Sequence, residues 1–150
     1  MQQSLRGGLR PRVLLVEDDE ESRHLLRELL EAEEVPVVGE AGNGVEAIEL
    51  ALEAEPDVVL MDIRMPDMGG LEAARLMRES LPFTQVIILT AYDGPLPTRT
   101  AEEAGVYAYL VKGCSIGLMK DVIEHAWHYN GGIKRRGQAG LTGAASLPPA

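Results

Sequence analysis

Five short aliphatic runs, each followed by a stretch of helical period, constrain this chain more than any other feature. They are Val13 to Val16, Val35 to Val38, Val58 to Met61, Val86 to Leu89 and Val106 to Val111, and β-branched and aliphatic residues dominate them. The first, third and fourth (VLLV, VVLM, VIIL) are apolar without interruption, as strands are when helices cover both faces of a parallel sheet. Alternation of strand and helix over residues 12 to 130 predicts a three-layer, doubly wound α/β domain of five βα units.

The helical segments carry their own signals. Leu25, Leu26, Leu29 and Leu30 form an apolar stripe with Arg23, Arg27, Glu28 and Glu31 outside it, and Val45, Ile48 and Leu52 repeat the pattern. Asn43 is placed to cap the second helix, with Glu46 three residues on to complete a capping box. The last helix is expected from about Ser115, with Met119, Val122, Ile123 and Ala126 inward and a left-handed cap at Asn130-Gly131-Gly132. In DGPLPTRTAEEAG, Pro95 and Pro97 predict a late, short fourth helix, because proline is tolerated only in a first turn. Residues 1 to 11 and 131 to 150 have no apolar period and are expected to be a disordered extension and a disordered tail or linker.

Acidic residues number 24 against 14 Lys plus Arg, a formal charge of -10. Such a surface repels nucleic acid and anionic membranes, so neither is expected as a direct partner. The single cysteine, Cys114, has no partner within the chain, and no leader-like or membrane-spanning run is visible; a cytoplasmic setting is the expectation.

In a doubly wound sheet, polar groups directly after the strands project into the ligand crevice. Here they are Glu17, Asp18 and Asp19 after the first run, Asp62 after the third, Thr90 after the fourth and Lys112 after the fifth. Converging carboxylates repel unless a cation neutralises them, and hard oxygen donors in an incomplete cage suit Mg²⁺. An aspartate flanked by Mg²⁺ and an ammonium is equipped to attack a phosphoryl group. Asp19, Glu20 and Glu21 read more simply as a solvated helix start, and His24, His125 and His128 as surface residues.

VLLVEDDEESRHLL, VVLMDIRMPDMGGLEA, VIILTAYD and AYLVKG resemble, in order and spacing, the strand-end motifs of bacterial two-component response regulator receiver domains. The resemblance implies a chemotaxis-type, flavodoxin-like fold with strand order 2-1-3-4-5. It makes Asp62 the phosphoacceptor, Asp18 and Asp62 metal ligands with Glu17 partly through water, and the backbone carbonyl of Arg64 a further ligand. Thr90 and Lys112 would bind the phosphoryl group, and Tyr109 would change rotamer as the switch is thrown. Arg64 and Tyr92 would flank the path of the hydrolytic water and slow the loss of phosphate. The implied partners are a sensor histidine kinase or phosphotransfer protein and an unidentified downstream protein, with homodimerisation through the face of the fourth helix, fifth strand and fifth helix a further expectation.

Two departures from that family pattern stand out. Gly113 replaces the proline usual after the lysine, predicting a trans, looser loop, and Gly69 stands where an acidic residue is common. The leading reading is a phosphorylated signalling switch rather than an enzyme, apart from catalysis of its own phosphorylation and dephosphorylation. No effector pattern follows residue 130, so the output is either stand-alone or through a further C-terminal domain such as a transcription regulator. The alternatives are a degenerate receiver acting as a binding module and an aspartate-nucleophile phosphohydrolase. The second fits poorly, because the stretch after the first strand, Val16-Glu17-Asp18-Asp19, lacks the Asp-x-Asp pair those enzymes use.

Overall fold

The computed structural model of this protein describes residues 10–91 and 104–138, the last part, 130–138, as helix backbone. Tyr92, Pro95, Pro97 and the expected fourth helix lie outside the described residues.

The elements are β1 (Val13–Val16), α1 (Glu20–Ala32), β2 (Val37–Ala41), α2 (Gly44–Ala54), β3 (Val58–Asp62), α3 (Gly70–Ser80), β4 (Gln85–Thr90), β5 (Ala108–Val111) and α4 (Ile116–Gln138). All strand pairs are parallel and the sheet order is β2-β1-β3-β4-β5. Side chains alternate across the sheet, as the pleat requires. Val13, Leu15, Val58, Leu60, Ile87 and Leu89 pack on one face with Leu30 of α1 and Met119, Ile123 and Ala126 of α4. Leu14, Val16, Val59, Met61, Val86 and Ile88 pack on the other with Ala47, Ala51, Ala73, Ala74 and Met77 of α2 and α3. Each large aliphatic side chain fully buried in this way contributes about 1.5–3 kcal/mol.

Several local expectations need correction. β2 begins two residues late, because Val35 closes the end of α1 through its N–H to the Leu30 carbonyl and Pro36 accepts from Val13. It then runs on through Gly39 and Glu40 to Ala41. As an edge strand it is only half buried, so it has no continuous apolar run to betray its length. On α1 only Leu30 is fully buried, while Leu25 and Leu29 are 56% and 44% exposed. On α2, Val45 and Leu52 are exposed and the inward face is Ala47 and Ala51, small residues that let α2 and the alanine face of α3 sit close to the sheet.

The α2 cap forms, with Asn43 Oδ1 accepting from the Glu46 N–H at 2.8 Å, but Glu46 reaches back to the N–H of Gly42, not of Asn43. The last helix buries Met119, Ile123 and Ala126 as expected, with Val122 partly buried. It does not stop at Asn130-Gly131-Gly132 but continues to Gln138. Two glycines weaken a helix by about 1 kcal/mol each, but the segment that follows, Ile133 to Arg136, contains no proline to end it.

Candidate functional site

Parallel β1 and β3, paired with Val16 opposite Met61, end side by side, so the residues that follow leave the sheet at the same edge. Glu17 continues the β1 ladder by donating its N–H to the Ala41 carbonyl at 3.0 Å, and is buried. Asp18 follows and is exposed, while Asp62, the last residue of β3, is only 7% exposed. One carboxylate oxygen from each of Glu17, Asp18 and Asp62 lies within 4.8 Å of the others.

Lys112 reaches this group from the end of β5. Its backbone N–H bonds the Thr90 carbonyl at 2.8 Å, and its Nζ donates to Glu17 Oε1 at 2.7 Å and to Asp62 Oδ2 at 2.9 Å. Burial works against the ammonium's charge, but the hydrogen bonds to Glu17 and Asp62 and the charges of both outweigh it and hold Lys112 above the ordinary lysine range. The other Glu17 oxygen accepts the Asp19 N–H at 3.1 Å, and Asp62 Oδ1 accepts the Arg64 N–H at 3.3 Å. Three carboxylates thus outnumber the Lys112 ammonium that bonds two of them. A hard, oxygen-only donor set with that excess of carboxylates fits a divalent cation such as Mg²⁺.

Thr90, Tyr109 and Arg64 lie on β4, on β5 and in the loop after β3. Thr90 is buried at the end of β4, pairing with Val111. Tyr109 pairs with Ile88 in the strand register and is partly buried against the α2–α3 side of the core. Arg64 is exposed in the loop after β3. There is no cis peptide bond among the described residues, and Gly113 takes φ +94°, a conformation closed to proline, whose ring holds φ near −65°.

Two other residues that brace the site escaped the sequence reading. Asp67, from the loop after β3, caps α2 by accepting from the Gly44 N–H at 3.1 Å and the Val45 N–H at 3.4 Å, tying the loop that follows Asp62 to a neighbouring helix. Only the Asn43-Gly44 helix start hinted at it, and a cap contributed by a distant loop leaves no local spacing. Arg23, assigned to the outer face of α1, is instead 14% exposed, donating to the Glu17 carbonyl and to Glu40. Asp19, read as a solvated helix start, caps α1: it accepts from the Ser22 hydroxyl and N–H, and those bonds lower its carboxyl below the ordinary range.

Among the described residues no helix is long and apolar enough to cross a membrane. The family model for the response regulator receiver domain matches residues 13–124. Among curated relatives, the response regulator GacA of Pseudomonas aeruginosa is 39% identical over 118 residues, covering 77% of this chain and 55% of that protein. The transcriptional regulatory protein PdtaR of Mycobacterium tuberculosis is 42% identical over 115 residues, 77% of this chain and 56% of that one. The chain thus spans about half the length of these relatives. The chemotaxis protein CheY of Halobacterium salinarum is 43% identical over 112 residues, which is 75% of this chain and 92% of that protein. Among solved structures, a LuxR-family two-component response regulator from Aurantimonas sp. SI85-9A1 superposes with a TM-score of 0.75 at 32% identity, covering 80% of this chain and 86% of that one. The response regulator domain of Thermotoga maritima CheB gives 0.68 at 31% identity, covering 80% and 98%. With strand order, strand-end residues and family match in agreement, this chain belongs to the response regulator receiver domain family.

Proposed function

We propose that this receiver takes a phosphoryl group onto Asp62 in a Mg²⁺-dependent reaction, and that a sensor histidine kinase or phosphotransfer protein is the donor. The observation that carries this reading is the placement of Lys112 Nζ between the Glu17 and Asp62 carboxylates, 2.7 and 2.9 Å away, beside the three-carboxylate cluster. A carboxylate oxygen of Asp62 forms the new O–P bond as the donor's N–P bond breaks, and the released imidazole keeps the electron pair and takes up a proton. Glu17, Asp18, Asp62 and the backbone carbonyl of Arg64 would hold the ion, which offsets charge on the phosphoryl oxygens. Lys112 stays paired with the oxygens in transfer, and the Thr90 hydroxyl hydrogen-bonds one of them.

Tyr109 changing rotamer would report the phosphorylated state to the β5–α4 face, where a downstream protein or a second copy of the chain docks. Output is either direct or through a C-terminal effector, as the transcriptional regulator among the relatives suggests. Arg64, and Tyr92 beyond the described residues, shield the acyl phosphate from water. Replacing both with alanine should shorten its half-life several-fold, and an unchanged half-life rejects that role.

The test is intact mass after incubation with acetyl phosphate, with and without Mg²⁺, beside an Asp62→Asn variant. A metal-dependent gain of one phosphoryl group that the variant lacks supports the reading. No gain in the wild type favours the degenerate binding module.

A further inference from the structure

We propose that Arg23 is a positioning residue that sets the peptide between Glu17 and Asp18, and thereby the affinity of the acidic site for its cation. The inference rests on the reading above that Glu17 and Asp18 hold Mg²⁺.

The guanidinium works in two directions at once. Nη1 donates to the Glu17 backbone carbonyl at 2.6 Å, and Nε donates to Glu40 Oε1 at 2.9 Å. Glu40 sits on β2 opposite Leu15 of β1, and its other oxygen accepts from Arg27 Nη1 at 2.7 Å. The Arg23 and Glu40 side chains are 14% and 16% exposed, so the pair is packed between α1 and the sheet edge. Arg23 thus ties the second turn of α1, strand β2 and the end of β1 to one rigid plane.

What that plane holds is specific. The N–H of Glu17 is fixed by Ala41 and its carboxylate by Lys112 and the Asp19 N–H. The Glu17 carbonyl belongs to the peptide that launches Asp18, the exposed member of the carboxylate cluster. Rotation of this peptide would swing Asp18 away from Asp62 while leaving the Glu17 side chain in place. Only a planar fork with divergent donors grips the carbonyl and Glu40 together; a lysine ammonium meets one or the other.

Charge alone predicts the opposite sign from positioning. A guanidinium near a cation site repels the cation, so removing it should tighten Mg²⁺ binding if Arg23 is only a charge. If it positions Asp18, removing it should loosen binding, by about tenfold or more, as for other residues that orient metal ligands. Arg27 is the internal control: it shares Glu40 but bonds Glu31 and the Val37 carbonyl where Arg23 bonds the Glu17 carbonyl.

The experiment is calorimetric titration of Mg²⁺ into the full chain, for wild type, Arg23→Gln, Arg23→Lys and Arg27→Gln, with thermal unfolding of each. The expected result is weakening of about tenfold in both Arg23 variants and less than about twofold in Arg27→Gln. Should Arg23→Gln not fold, Arg23→Lys, which keeps the charge, decides the question. Arg23 variants that bind as tightly as wild type, or that lose no more than Arg27→Gln, overturn the positioning role and leave the metal reading intact. A wild type that shows no saturable Mg²⁺ binding overturns both.

Discussion

Lys112 and Asp62, fifty residues apart in the chain, meet through a 2.9 Å ion pair at the carboxyl edge of the sheet, and the same ammonium holds Glu17 at 2.7 Å. Lys112 therefore serves as a built-in counterion for two of the three site carboxylates. Replacing it with alanine should separate two properties. Mg²⁺ affinity, read by calorimetry, should hold or rise, because a competing cation is gone. The rate of phosphorylation by acetyl phosphate should fall by about 100-fold, the scale of losing one donor to a developing oxyanion. Equal losses in both would mean that Lys112 is structural.

Glu40 gives a pH-dependent prediction away from the site. Burial pushes its carboxyl up, but hydrogen bonds from Arg27 and Arg23 outweigh this and hold it below the ordinary range. A lowered folded pKa means the unfolded chain binds the proton more readily, so the stabilisation is complete above the ordinary glutamate value of about 4.3 and is lost as pH falls through the lower folded value. Glu40→Gln should cost about 1.5–3 kcal/mol at pH 7, and its Tm should fall less steeply than wild type below about pH 4.3. Parallel Tm profiles would contradict the assignment.

Two glycines should fail for different reasons. A Cβ on Gly70 would lie 2.3 Å from the Asp62 carbonyl oxygen, so Gly70→Ala should cost about 1–3 kcal/mol and also slow phosphorylation by moving Asp62. Around Gly113 there is open space, and only φ +94° resists a side chain; Gly113→Ala should cost about 1–2 kcal/mol through the backbone. Urea unfolding paired with the phosphorylation rate separates the two.

Leu30 and Leu25 test the corrected α1 stripe. Leu30 is fully buried and Leu25 is 56% exposed, so Leu30→Ala should cost about 2–5 kcal/mol and Leu25→Ala less than about 0.5. Similar losses in urea would restore the symmetrical stripe that periodicity suggested.

That contrast marks how far the sequence can be read. The central strands β1, β3 and β4 are covered on both faces, so their apolar runs are unbroken and their ends fall within a residue of the expected places. Because those ends carry Glu17, Asp62 and Thr90, the candidate site was legible from the same signal. β2 is an edge strand with Gly39 and Glu40 inside it, and its half-buried pattern hid its true span. On α1 and α2, periodicity identified an apolar face but could not tell that the sheet meets Leu30, Ala47 and Ala51 rather than Leu25, Val45 and Leu52. The contacts of Arg23 and Asp67 join segments 17 and 23 residues apart, and no local spacing encodes them.

Phosphoryl transfer to Asp62 would leave an acyl phosphate on its side chain. Borohydride reduces an aspartyl phosphate to homoserine, so peptide mass mapping after acetyl phosphate, Mg²⁺ and borohydride tests it most directly. Homoserine is expected at position 62 in the Mg²⁺-treated sample and not in one treated with a chelator. Homoserine at another aspartate, or unmodified Asp62 in both samples, would contradict it.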